Sequence, residues 1–336
     1  MIDNDQQTGA GQRRRAFLRD CTGAAASAGA LTLMAGCGDT YGADAVADKI
    51  MPTPPPTAAP TYSATDTDYL NFLLQIQYLT AGFFWRSAFG GSIDPALVTG
   101  SGTAGSVTGG AQVQFADELF MQGLREIALE EVARIGQLRT LIGTGVTAQP
   151  AITIGGGAGS PFDAIASQDA FPGSTPFDPY ASLEQYLLGS SGLSWLATSA
   201  FRGVAFRLTG AANRDTVLGL LAGKAHHDTF LRLAVWRAGL QNTALYGIED
   251  KMVLARNALN GGNGTNAVAN YENGVGSASS TTIVILDIRN ANSGALLART
   301  PDQVLNIAYA APKAVASGGF FPAGVNGLIK YSNAAT

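Results

Sequence analysis

The chain has 336 residues, 46% of them apolar and only 14% charged, enough to bury a large core in one big domain or two modest ones and too apolar for a disordered chain. Its formal charge is −4, and the first 36 residues, with four Arg against three Asp, leave the remainder one unit more negative, which excludes the basic footprint of a nucleic-acid binder. Both cysteines, Cys21 and Cys37, lie near the N-terminus, so the body of the chain has no disulfide framework.

Residues 1–36 read as an export signal. Arg13, Arg14 and Arg15 precede Ala16-Phe17-Leu18, and a mild apolar run follows from Thr22 to Ala35; paired arginines at Arg14 and Arg15 ahead of such a run resemble a twin-arginine signal. The run is too short and too rich in small residues to span a membrane. It ends in Leu33-Met34-Ala35-Gly36-Cys37, which resembles a bacterial lipobox and makes Cys37 the candidate lipidation site, with Met34 where leucine is usual. Residues 37–65, with Pro52, Pro54, Pro55, Pro56 and Pro60 among Ala, Thr and Ser, are expected to be an extended tether. The expected location is the periplasm or the periplasmic face of a bacterial membrane, with the membrane as partner through the lipid. Protein partners are not specified, and a homo-oligomer stays open.

The folded body is expected from Asp66. Thr65, Asp66 and Asp68 supply an N-cap and first-turn acids, and Leu70, Leu73, Gln77, Thr80 and Phe84 form one stripe of helix one. A Gly/Ser/Thr-rich connection covers Gly90 to Gly110. Helix two is predicted from about Phe115 to Ile142, stopped by Gly143. Residues 144–179 contain five prolines and the run Gly155-Gly156-Gly157-Ala158-Gly159, and so make a long crossover; that run lacks the Lys-Ser/Thr of a phosphate-binding loop. Helix three is expected over about Ala181 to Leu208 and helix four over about Arg214 to Ala238.

The segment 242–336 is expected to wrap the bundle. Tyr246 to Leu259 and Pro301 to Tyr309 read as helices, Thr281 to Ile288 as a strand, and Phe320-Phe321 as packing residues. Asn263-Gly264-Thr265 fits a glycosylation pattern that means little after a bacterial signal. Four long helices with one long crossover between the second and third, over residues 66–241, predict a mostly α, ferritin-like four-helix bundle with a mixed, loop-rich C-terminal extension.

Several stretches, in this order along one chain, resemble the desiccation-related branch of the ferritin-like superfamily. They are Asp68-Tyr69-Leu70-Asn71-Phe72, Glu131 with Leu138-Arg139-Thr140-Leu141-Ile142-Gly143, Ser199-Ala200-Phe201-Arg202-Gly203, Ala225-His226-His227, Arg299-Thr300-Pro301-Asp302-Gln303 and Gly318-Gly319-Phe320-Phe321-Pro322. The resemblance implies six metal ligands: a glutamate at Gln77, Glu-x-x-His at Glu131 and Arg134, a glutamate at Ser194, and Glu-x-x-His at Lys224 and His227. Only Glu131 and His227 keep the ligand type.

A di-iron or di-manganese centre needs several carboxylates to neutralise and bridge two dications. Gln77 and Ser194 offer neutral oxygens, Arg134 has no lone pair to give, and Lys224 would have to lose its proton. Two cations would then face one carboxylate, and no cofactor is expected, iron or manganese being the alternative. Glu131 is expected to pair with Arg134 or Lys224 in a polar layer of the core. His226 and His227 point about 100° apart on a helix and cannot share one catalytic face, while Glu126, Glu130 and Arg139 read as surface charges. The function implied is a non-enzymatic, lipid-anchored envelope protein with a stress-related or structural role; the alternative is an oxidoreductase-type metal protein with a non-standard site.

Overall fold

Thr65 fixes where the first helix begins. Its hydroxyl accepts from Asp68 N while Asp68 Oδ2 accepts from Thr65 N at 2.9 Å, a reciprocal cap that starts α1 (Asp66–Phe89). Gly90 ends it in the left-handed conformation at φ 77°. The computed structural model describes residues 63–166, 170–259, 272–276 and 295–333. Arg14, Arg15, Cys37, nearly all of the tether, Asn263 and the expected strand Thr281 to Ile288 lie outside the described residues.

Three further long helices follow: α2 (Glu118–Ile142), α4 (Leu183–Ala205) and α5 (Ala211–Gly239), with the single-turn α3 (Pro161–Ile165) in the crossover. Asp117 and Ser182 cap α2 and α4 through side-chain oxygens, so both begin two or three residues later than the periodicity predicts. α1 packs along α2 and α4 along α5, and contacts of α1 with α4 and of α2 with α5 close the bundle. Neighbours run antiparallel: Asn71 bonds Gly145 at one end of the α1–α2 pair while Gln77 meets Glu131 near the middle, and on α4–α5 Ser194 meets Asp228.

The two halves differ in burial. Every residue of α1 from Leu70 to Phe84, and every residue of α4 from Tyr186 to Phe201, is buried, whereas α2 and α5 each bury one face. The apolar stripe read on α1 therefore understates its burial, because other chain segments cover its outer side. Ile142 ends at the Asn71 end of α1, whereas Tyr186 stacks on Phe83 near the other, so the crossover must travel the length of the bundle, about 36 Å at the helical rise. On the way Thr147 bonds Asn71, Gln75 and Tyr78, and β2 (Ile152–Thr153) pairs in parallel with β1 (Val107–Thr108) of the α1–α2 connection.

The described part of the C-terminal segment sits on the same core. α6 (Ala244–Leu259) packs on α5, and α7 (Pro301–Ala308), opened by a Thr300/Gln303 capping box, packs on α4. Gly203 permits this: a Cβ there would stand 1.8 Å from the Arg299 carbonyl oxygen. Phe320 lies edge-on to Phe162 at 4.9 Å, its carbonyl accepts from Thr153 N, and Asn326 N donates to Gln75 Oε1. Two buried arginines close the seam around one carboxylate, Arg299 at 2.5 Å and Arg256 at 2.7 Å from Glu272. Among the described residues no helix is long and apolar enough to cross a membrane.

Candidate functional site

Five of the six positions at which ligands are expected converge inside the bundle, and they do so as an ion-pair network centred on Glu131. This carboxylate is 2% exposed. Its Oε1 accepts from Arg134 Nη1 at 2.8 Å and from Lys224 Nζ at 3.1 Å; its Oε2 accepts from Lys224 at 2.9 Å, Gln77 Nε2 at 2.9 Å and the Thr80 hydroxyl at 2.6 Å. The two pairings expected as alternatives, along α2 with Arg134 and across the bundle with Lys224, thus occur together. Each element contributes for a local reason: three-residue spacing puts Gln77 and Thr80 on one face of α1 and Glu131 and Arg134 on one face of α2.

His227 lies against the guanidinium, with both ring nitrogens 3.4 Å from Arg134 nitrogens, and its Nε2 is 2.8 Å from Glu130 Oε2. Glu130 also accepts from Arg134 Nη2 at 2.9 Å. The surface reading of Glu130 is therefore corrected: the residue is largely exposed, but its carboxylate reaches back over the cluster because α2 turns it toward Arg134 one turn on. Arg139 is corrected likewise, since its guanidinium donates to Tyr78 Oη and the Thr99 carbonyl. Gly223 makes the room, for a Cβ there would stand 2.5 Å from Arg134 Nη2. His226, by contrast, is exposed.

Ser194, the sixth position, does not touch Glu131. Its hydroxyl donates at 2.5 Å to Asp228, a buried carboxylate one turn beyond Lys224 on α5. The expected balance of two cations against one carboxylate is thus corrected to one in which Glu130 and Asp228 add two more. Signals for these residues were present in the spacing: Thr80 is three from Gln77, Arg134 four from Glu130, and Asp228 four from Lys224. Asp228 Oδ2 and Gln77 Oε1 are buried with no protein partner.

The electrostatics follow from burial and neighbours. Burial pushes the Glu131 carboxyl up, but Lys224, Arg134 and His227 outweigh it and hold the group well below the usual carboxylate range. Burial lowers the Lys224 ammonium and Glu131 partly restores it; the same ammonium stands 4.9 Å over the Phe201 ring. At Asp228 burial wins over the Ser194 hydrogen bond and raises the carboxyl to about 6. Among the described residues no group of three or more His, Cys, Asp or Glu side chains is arranged to hold a metal ion.

An antiparallel four-helix bundle with a length-spanning crossover, whose inward polar residues from all four helices meet at mid-height, is a protein of the ferritin-like class. A family model described as a ferritin-like domain matches residues 65–237, which is the bundle just described. The chain belongs to that family. It is 24% identical over 289 residues, 79% of this chain and 84% of the other, to a ferritin-like catalase of Nesocodon mauritianus. It is 26% identical over 187 residues, 55% of this chain and 57% of the other, to a desiccation-related protein of Craterostigma plantagineum. No solved structure matches the chain significantly.

Proposed function

We propose that this protein is a ferritin-like bundle in which an ion-pair layer stands where family members hold metals, and that its role is structural or stress-related rather than catalytic. The observation that carries this reading is the saturation of Glu131. Both of its oxygens already accept two or three hydrogen bonds, from two cations, an amide and a hydroxyl. A metal would have to displace Lys224 and Arg134 and then bind beside their charges. His227 is turned to Glu130 and Arg134, and Ser194 to Asp228, so the donor set does not fit two dications.

The desiccation-related relative supports a stress role. Export through Arg14 and Arg15, and anchorage by lipid on Cys37 at the periplasmic face of a membrane, complete the reading. A second reading, a redox protein of catalase type, is favoured by the Nesocodon relative, which aligns over most of both chains.

Elemental analysis separates the two. Protein purified from its own host without chelators, alongside Glu131→Ala and His227→Ala variants, is expected to carry near-zero iron and manganese. About two equivalents per chain, lost in both variants, would overturn the structural reading in favour of the redox one.

A further inference from the structure

The Glu131 cluster is buried in the core, and a cavity opens on the other side of α1. The Gly/Ser/Thr-rich connection between α1 and α2 does not form a loose loop. Its residues from Ser101 to Thr108 are bonded to the crossover: Ser101 N donates to Val146 O, Gly105 N to Gln149 O, and β1 pairs with β2. A connection of this length that keeps a fixed shape with so little regular structure is commonly functional. It arches over α1 and borders a partly open cavity of about 210 Å³.

The walls are mostly apolar, from Trp85 on the helix and Ile93, Val98 and Val107 on the arch, with Ser92, Ser106 and Gln149 also in the lining. Gly91 leaves the rim bare, since a Cβ there would meet nothing within 4 Å, while Gly82 on α1 lets the arch approach closely, a Cβ there standing 3.1 Å from Val107 Cγ2. Arg86 is the one charged residue of the lining. Among the described residues no carboxylate pairs with it, and its hydrogen bond is a long one, 3.4 Å from Nη2 to the Val107 carbonyl. Asp94, the nearest acid in sequence, is turned to cap its own helical turn, accepting from Ala96 N at 2.9 Å.

An apolar cavity with one unneutralised guanidinium selects a definite chemistry. The walls exclude strongly hydrated ions, and the fork of Arg86 matches a carboxylate. We propose that this cavity binds a small monocarboxylate with an apolar body, the body against Trp85 and the arch and the carboxylate on Arg86. The inference is independent of whether the bundle holds metal, since none of the lining belongs to the Glu131 cluster.

The test uses hexanoate against hexanol and hexylamine, which share the body and differ in the head. Binding to the full chain is read by calorimetry and by the change in tryptophan fluorescence. Hexanoate is expected to bind about tenfold more tightly than hexanol and hexylamine weakest, the gain of one charge-assisted contact. Arg86→Gln is expected to bring hexanoate down to the level of hexanol while hexanol is unchanged. Ser92→Trp, at an exposed position on the rim, is expected to abolish both while leaving the melting temperature intact. Equal affinity for the three probes, no binding at all, or hexanoate binding that survives Ser92→Trp would each overturn the proposal.

Discussion

Glu131 holds together groups that would otherwise repel one another. Truncating it to Ala removes the ion-pair partner of buried Lys224 and leaves Arg134 only the largely exposed Glu130, and is expected to cost about 3–5 kcal/mol. Replacing all three by Met removes the charges together and is expected to cost much less, as thermal melts of both variants can establish; a triple variant less stable than Glu131→Ala would refute the coupled layer. The carboxylates also set a pH profile. Asp228, raised to about 6, and Glu249, raised by burial to about 7, both favour the protonated form in the folded chain, so their contribution is full below their ordinary range and is lost as pH rises through 6 to 7. Glu131, Glu272 and Glu130 are held low by neighbouring cations, and their contribution disappears as pH falls through the acid range. Thermal stability should therefore peak on the acid side of neutrality, and Asp228→Asn should flatten the decline around pH 6. Helix spacing made Glu131, Arg134, Lys224 and His227 readable as one inward face. It could not show that Asp228 and Glu130 join them, because residues at the margin of a face turn in or out according to how two helices are rotated against each other.

At the level of elements, close approach decides which glycines matter. Gly203 lies under the Arg299 backbone, so Gly203→Ala should prise α7 from α4 and destabilise by about 1–3 kcal/mol despite the better helix propensity of alanine. Gly136, partly exposed on α2 with nothing within 4 Å of a would-be Cβ, supplies the contrast: Gly136→Ala should stabilise by about 0.5–1 kcal/mol. Urea titrations of the two variants give the opposite signs or the packing account fails. The long helices were legible because they are long, periodic and stopped by Gly90 and Gly143. The pairing of β1 with β2 was not: two-residue strands carry no period, and their partner is set by where the crossover happens to pass. For the same reason the stripe on α1 gave only part of its burial, since Phe162, Phe320 and Asn326 reach its neighbourhood from distant sequence.

For the molecule as a whole, the C-terminal segment is part of the core. Glu272 accepts from Arg256 on α6 and Arg299 ahead of α7, Arg299 bonds Ser199 of α4, and Phe320 packs on Phe162 beneath the crossover. Ending the chain at residue 294 should therefore abolish cooperative unfolding instead of leaving an intact bundle, and the full chain should melt in one transition by calorimetry and by far-UV dichroism. Two separated transitions, or a truncated chain that keeps the melting temperature of the full one, would show that the bundle stands alone.

Asn326 N meets the side chain of Gln75, 251 residues earlier, and its own amide bridges Thr103 and Ala148. These bonds close over α1, with α4 the most buried of the long helices, and they cannot form until residue 326 has left the ribosome. A nascent chain therefore carries Gln75 without this partner until residue 326 has been made. Closure over α1 therefore waits for the segment around Asn326, and any factor that meets the chain before that segment is made meets it with α1 still uncovered on that side.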